Sequence, residues 1–441
     1  MSAAAQQQIK APLQRQASLN NPQMRRILTS SFLGSAIEFY DFMLYATAAA
    51  VVFSQVFFAN LSPALATFAS FGTLAAGYVA RPLGGVVFGH YGDRLGRKGV
   101  LVVSMLMMGL ATTAIGLLPT AAQIGVAAPI LLVCLRLIQG LAVGGEWGGA
   151  MLIALEHAPG GKRGFAASFA NLGAPAGSLL AAGALSLATL LPEEQFFAWG
   201  WRIPFLLSIV LVTIGLFVRL KVVESPLFQK FDAEAEKRRM PIVEVFARHP
   251  KNLALGTLAA MSQLTISGIA SVWAVSYAVA QGAERTGVLN AKALAAIALF
   301  LMTLLSARLC DRFGRRPVIM AGIGAAILFA YPLLLLVDSG TVIGFTVAVM
   351  VGQGIQGIIL GPLASFLAEL FPTAVRFTGS SVCFQGASAI GAGFTPVIAS
   401  ALVATGGGLM LLGGVWIGVL VICLIGVLIA SEGRRRNLAE I

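Results

Sequence analysis

The sequence is poor in charge. Only 11% of its 441 residues are Asp, Glu, Lys or Arg, too few to coat the water-exposed surface of a chain this long, which excludes a string of soluble domains. Histidine is scarce as well: His90, His157 and His249 all fall in short polar stretches between apolar runs, so none is placed to carry a proton across an apolar interior. The four cysteines, Cys134, Cys310, Cys383 and Cys423, have neither metal-ligand nor disulfide-framework spacing and lie in or at the ends of apolar segments. There is no nucleotide-binding motif, metal-ligand cluster or nucleophile elbow, which removes ATP as an energy source, leaves no cofactor to assign and speaks against an enzyme. The glycine pairs Gly144-Gly145 and Gly148-Gly149 sit in no strand-loop-helix context and read as close helix packing, not phosphate cradles. Residues 1 to 26 lack an apolar core followed by a small-residue cleavage site, so no cleaved signal peptide is expected.

What the chain has is apolar length. It is 58% hydrophobic with a mean hydropathy of +0.87, and continuous apolar runs of about 20 residues, enough to cross a ~30 Å hydrocarbon core as helix, recur throughout. Barrel strands would alternate instead. An all-α polytopic membrane protein is expected, with twelve transmembrane helices near 27–58, 63–88, 99–119, 126–154, 164–191, 202–220, 251–281, 290–309, 317–337, 340–370, 377–404 and 408–430. The divisions are a tail (1–26), a six-helix bundle (27–220), a loop rich in both charges (221–250), a second bundle (251–430) and a short tail (431–441). The net charge of +12 is no nucleic-acid signal, because Lys and Arg collect in alternate loops, as the positive-inside rule expects of cytoplasmic ones. Both termini are therefore expected in the cytoplasm. In the outer loops Arg285 is alone, with Arg202 and Lys292 just inside neighbouring helix starts.

The halves repeat one another. Gly89-His-Tyr-Gly-Asp93-Arg94-Leu-Gly-Arg97-Lys98 separates two apolar segments, and Cys310-Asp311-Arg312-Phe313-Gly314-Arg315-Arg316 does so again, with Asp311 lying 218 residues after Asp93. After the fourth and tenth spans the chain reads Glu-x-x-Pro-x-x-x-Arg, from Glu156 to Arg163 and from Glu369 to Arg376. Repeated six-helix halves are a recurring transporter architecture, with the substrate site between them near mid-membrane. Topology puts the charged loops at the cytoplasmic surface, too far from mid-membrane for substrate chemistry, so Asp93, Arg94, Arg97, Asp311, Arg315, Glu156, Arg163, Glu369 and Arg376 read as gating residues. Asp93 is expected to cap the helix that starts near Arg376 to Gly379.

Ionisable groups within spans are functional candidates because burying charge is costly. They cluster in the first half: Glu38 and Asp41 in the first helix, Arg81 in the second, Arg136 and Glu146 in the fourth. The second half offers only polar groups, such as Gln263, Tyr277, Gln353, Gln356 and Gln385, and no deep charge is expected there. At ~1.5 Å of rise per residue Glu38 and Arg136 lie about 15 Å deep and Arg81 about 12 Å. Glu38, Asp41 and Tyr45 share a helix face. One reading is a central aqueous cavity in which Arg81 and Arg136 hold a carboxylate, Tyr45 and Gln385 add contacts, and Glu38, Asp41 or Glu146 carries the proton. The other is a set of permanent ion pairs that let the helices insert. Tyr40, Trp147, Trp273 and Tyr277 read as packing or interfacial anchors.

Gly89-x-x-Gly92-Asp93-Arg94-x-Gly96-Arg97-Lys98 resembles the signature loop of the major facilitator superfamily, and Arg136-x-x-Gln139-Gly140 its fourth-helix motif. Ile37-Glu38-Phe39-Tyr40-Asp41-Phe42, Arg81-Pro82-Leu83-Gly84-Gly85, Gly144-Gly145-Glu146-Trp147-Gly148-Gly149, Trp199-Gly200-Trp201-Arg202-Ile203-Pro204, Glu224-Ser225-Pro226 and Phe371-Pro372-Thr373-Ala374-Val375-Arg376 resemble its metabolite:proton symporter branch, which includes carriers of α-ketoglutarate, citrate, shikimate and proline/betaine. The resemblance implies a bacterial inner-membrane carrier, working as a monomer, that imports a small organic acid with protons by alternating access. A carrier of zwitterionic or neutral metabolites, or a proton antiporter, is the alternative. The chain departs from the pattern at Ala307 and Cys310, where the first loop has glycines, and at Asn171, where many relatives have Gln and where a substrate contact is expected. Its tail after Ser431 is too short for the coiled coil of osmosensing members.

Overall fold

The chain is seen in a computed structural model that describes residues 22–95, 97–144, 151, 154–155, 158, 162–220, 241–372 and 375–433. Among these there is no strand. Twelve long helices follow one another: α1 (Pro22–Val51), α2 (Pro63–Leu95), α3 (Arg97–Leu117), α4 (Ala127–Val143), α5 (Arg163–Ala188) and α6 (Arg202–Leu220), then α7 (Pro250–Ala280), α8 (Arg285–Phe313), α9 (Arg315–Asp338), α10 (Val342–Glu369), α11 (Arg376–Leu402) and α12 (Gly408–Ile429). Seven described helices are long and apolar enough by themselves to cross a membrane. Large apolar side chains such as Leu83, Phe217, Leu328, Ile343 and Met410 point outward, a surface that suits lipid and not water.

Two features differ from the sequence expectation. The first span is not one piece over 27–58: α1 starts at Pro22 and ends at Val51, and a separate short helix, Phe53–Val56, follows. The seventh and eleventh spans are not plain α-helices, since α7 is π-helical over Ser267–Trp273 and α11 over Ser388–Phe394. These wider turns lie in the middle of their helices and face one another.

Helix contact is closest where glycine removes the side chain. A Cβ on Gly140 of α4, or on Gly144 just past its end, would run into the backbone of α2 at Gly77 or Arg81, so these two helices meet backbone to backbone. The same packing brings Arg81 and Arg136 together. Between the halves, α5 lies along α8 and against α10, and α2 runs the length of α11. The described residues begin and end on one face of the molecule, here the terminal face: Met24 packs against Ala166 at the start of α5, and Glu432 accepts from Arg315 N and Arg316 N at the start of α9. On it Asp311 of α8 caps α5, accepting from Gly164 N at 3.0 Å and Phe165 N at 3.0 Å. Asp93, whose side chain lies outside the described residues, was expected to cap α11; its twin in the repeat caps the start of α5. Where the twin has Cys310 for glycine, Gly164 packs closely against the Cys310 thiol.

Candidate functional site

A cavity of about 50 Å³, room for a few waters, lies between the halves. The first half lines it with Phe42, Tyr78, Arg81 and Asn171, the second with Gln263, Ser267, Ser271 and Gln356. Arg81 is buried, interacts electrostatically with Glu38, and leaves its Nε without a hydrogen-bond partner. Its guanidinium carbon lies 4.2 Å from the centre of the Phe42 ring. That of Arg136 lies 4.2 Å from the same ring and 4.1 Å from Tyr45. Two buried cations thus share one aromatic ring, each gaining about 0.5–2 kcal/mol from such contacts.

Arg136 stands behind this layer, outside the cavity lining. Its Nη1 donates to Gln139 Oε1 at 3.1 Å, and Gln139 Nε2 donates to Thr112 Oγ1 at 2.7 Å, while Nε and Nη2 have no partner. Thr112 lies beside Asp41, whose Oδ1 accepts from Ser208 Oγ of α6 at 2.5 Å. Arg136 and Asp41 therefore stand at opposite ends of one polar chain through α4, α3 and α1. Gly77 leaves the space that the Arg136 stem occupies.

The structure brings Arg81 and Asn171 to the cavity wall and Glu38 beside Arg81. Asp41 is turned away from the cavity into its own bundle. Tyr45 is fully buried, donating to Thr73 Oγ1 at 2.7 Å, and does not line the cavity. Asn171 donates to Leu360 O of α10 at 2.8 Å and Gln385 to Gly144 O at 3.4 Å, both across the halves. Of the gating set, Arg315 bridges Asp311 at 3.4 Å and Glu369 at 3.1 Å, with Arg163 near Glu369, and Arg376 donates to Ala368 O at 3.0 Å. Glu146 and Glu156, and the side chains of Asp93, Arg94 and Arg97, lie outside the described residues.

The expectation of no deep charge in the second half fails at Lys292. It does not reach toward the surface from its position near the start of α8; it is fully buried and donates through Nζ to Thr47 Oγ1 of α1 at 2.5 Å. A lysine so near a helix start reads as one whose ammonium snorkels to water. The signal that counts against this is its neighbours: Leu289 and Ala296 place it on the stripe that packs against the first half. Sequence reading also missed Phe42, an ordinary core residue by type, whose ring both guanidinium groups contact.

Residues 31–396 match the sequence model of the Major Facilitator Superfamily. Over 420 residues the chain is 42% identical to the inner membrane metabolite transport protein YhjE of Escherichia coli (strain K12), covering 94% of this chain and 95% of that one. It is 40% identical to the shikimate transporter of the same organism, covering 88% and 90%. In three dimensions it is similar to a D-xylose-proton symporter with a TM-score of 0.73 at 18% identity, covering 93% of this chain and 99% of that one.

Proposed function

Starting from a chain that belongs to the Major Facilitator Superfamily, we propose that it imports a small hydroxylated organic acid together with protons. The chain is a membrane transporter of metabolites and not an enzyme. The observation that carries the organic-acid reading is the set of unsatisfied polar groups around the cavity. On the first-half wall the Arg81 guanidinium has an unpartnered donor and Asn171 an unpartnered Oδ1; on the second-half wall Gln356 leaves its Oε1 unpartnered. A carboxylate satisfies the guanidinium, and hydroxyl groups satisfy the amide oxygens. The shikimate transporter among the relatives handles a compound of that kind, which supports the reading.

Glu38 is the proton carrier on this reading. Glu38 lies beside Arg81, so a carboxylate that takes the guanidinium displaces Glu38 from it and makes a proton the partner of the Glu38 carboxyl. Arg136 holds Arg81 in place through Phe42 and joins Asp41 to the site. The terminal face is the cytoplasmic one, from the placement of Lys and Arg in its loops. A single chain carries the whole path.

Counterflow in proteoliposomes loaded with carboxylates, betaine or sugars tests the substrate class. Exchange of hydroxylated carboxylates is expected; betaine exchange without carboxylate exchange overturns the assignment. Glu38→Gln is expected to keep exchange and lose accumulation driven by a pH gradient. Full accumulation by that variant removes Glu38 as the coupling group.

A further inference from the structure

Among the described residues, four polar contacts join the halves along the first two turns of α8, running inward from the face opposite the terminal face. Arg285 meets Glu193 at 3.3 Å, Thr286 meets Thr189 at 3.0 Å, Asn290 accepts from Ser186, and Lys292 donates to Thr47. The first three join neutral groups or a half-exposed ion pair. The fourth is different: among the described residues no acid pairs with the Lys292 ammonium, and its acceptor is a hydroxyl already donating to Met43 O at 2.7 Å. A buried ammonium has three donors, and this one has a single partner.

Its position relates it to the cavity. Met43 and Leu299 both line the cavity; Thr47 is one turn beyond Met43, and Lys292 two turns beyond Leu299, each on the same helix face and each toward the outer side. Lys292 thus stands in the seam between the cavity and the outer face. Counting the buried charges around that path, Arg81, Arg136 and Lys292 face Glu38 and Asp41, leaving one cation in excess among the described residues.

We propose that Lys292 and Thr47 form an outer anion site: when the halves part on the outer side, the ammonium exchanges the Thr47 hydroxyl for the carboxylate of the incoming substrate and passes it inward to Arg81. The inference rests on the organic-acid reading and on the outward assignment of this face. Lys292 then sets selectivity for anions on entry, and its return to Thr47 closes the seam behind the substrate.

The test uses the full-length carrier in right-side-out and inside-out membrane vesicles, with radiolabelled shikimate and succinate as probes. For Lys292→Met, the KM of the better probe is expected to rise at least about thirty-fold from the outer side and stay within about two-fold from the inner side. Lys292→Arg is expected to recover most of the loss. A merely structural lysine would not produce this sidedness. Should Lys292→Met not fold, Thr47→Val keeps the charge and removes its resting acceptor, and is expected to lower the outer KM several-fold. Wild-type carrier that exchanges betaine but neither probe overturns the organic-acid reading itself. Wild-type exchange of a probe, with outer KM unchanged in Lys292→Met or in a Thr47→Val substitute, overturns the outer site alone.

Discussion

The two halves share a fold and differ in what they bury. Around the cavity the first buries Glu38, Asp41, Arg81 and Arg136, tied together through Phe42, Gln139 and Thr112; the second buries amides and hydroxyls there, joined in pairs such as Gln356 with Gln263 at 3.0 Å and Gln353 with Ser271 at 3.1 Å, and its Lys292 stands beyond the cavity toward the outer face. The helices that carry the charges are α-helical through that level, α2 with Pro82 beside Arg81, whereas α7 and α11 of the second half are π-helical there. Duplication therefore fixed the backbone plan and left the chemistry free to diverge. Charge requires a rigid frame, because a displaced buried ion loses its partners, while neutral amides exchange partners at small cost.

The largest effect should come from breaking the charged side. Arg81→Gln is expected to lower kcat/KM for a carboxylate at least about thirty-fold, against three- to ten-fold for Gln356→Leu, both measured by initial uptake rates. Equal losses would mean that recognition is shared evenly between the halves. Next is the frame itself. Gly77→Ala drives a methyl group into the Arg136 stem, and a loss of about 1–3 kcal/mol is expected by thermal melting in detergent, together with lost uptake. Gly72, with open space around it, is the control, and Gly72→Ala should be silent.

A smaller effect is expected where the halves meet on the terminal face. Asp311→Asn removes a charged cap from α5, worth about 1 kcal/mol, and should open that face without changing substrate affinity. Cys310, fully buried beside it, is a native reporter, and its alkylation rate should rise when the other cysteines are replaced. A large loss of affinity with normal turnover would contradict a gating role. Smallest is Gln353→Leu, which removes one neutral hydrogen bond and should cost under about 1.5 kcal/mol in the same melting experiment.

Much of this was legible before any coordinates. The twelve apolar runs, the charge placed in alternate loops and the repeated Asp93 and Asp311 motifs follow from membrane physics and from duplication, which act on sequence directly. Arg81, Arg136 and Glu38 stand out for the same reason, since ions within apolar runs need a cause. Lys292 did not stand out, because a cation seven residues into a helix satisfies the snorkelling rule, and only packing reveals that α8 points it inward. Asp41 and Tyr45 share a helix side with Glu38 in projection, yet the wheel cannot say which neighbour each meets: Ser208 of α6 takes Asp41, and Thr73 of α2 takes Tyr45. The π-helical turns carry no proline and no charge to announce them, being a property of how α7 and α11 fit together.

Those turns also make residue count part of the site. Gln263, Ser267 and Ser271 of α7 all reach the cavity wall at steps of four residues. In a regular α-helix two such steps overshoot two full turns by about 80°, enough to swing the last side chain off the wall. The wider turn over Ser267–Trp273 takes that rotation back and keeps the three in line. A deletion of one residue there would leave every side chain its identity and change which of them the substrate meets.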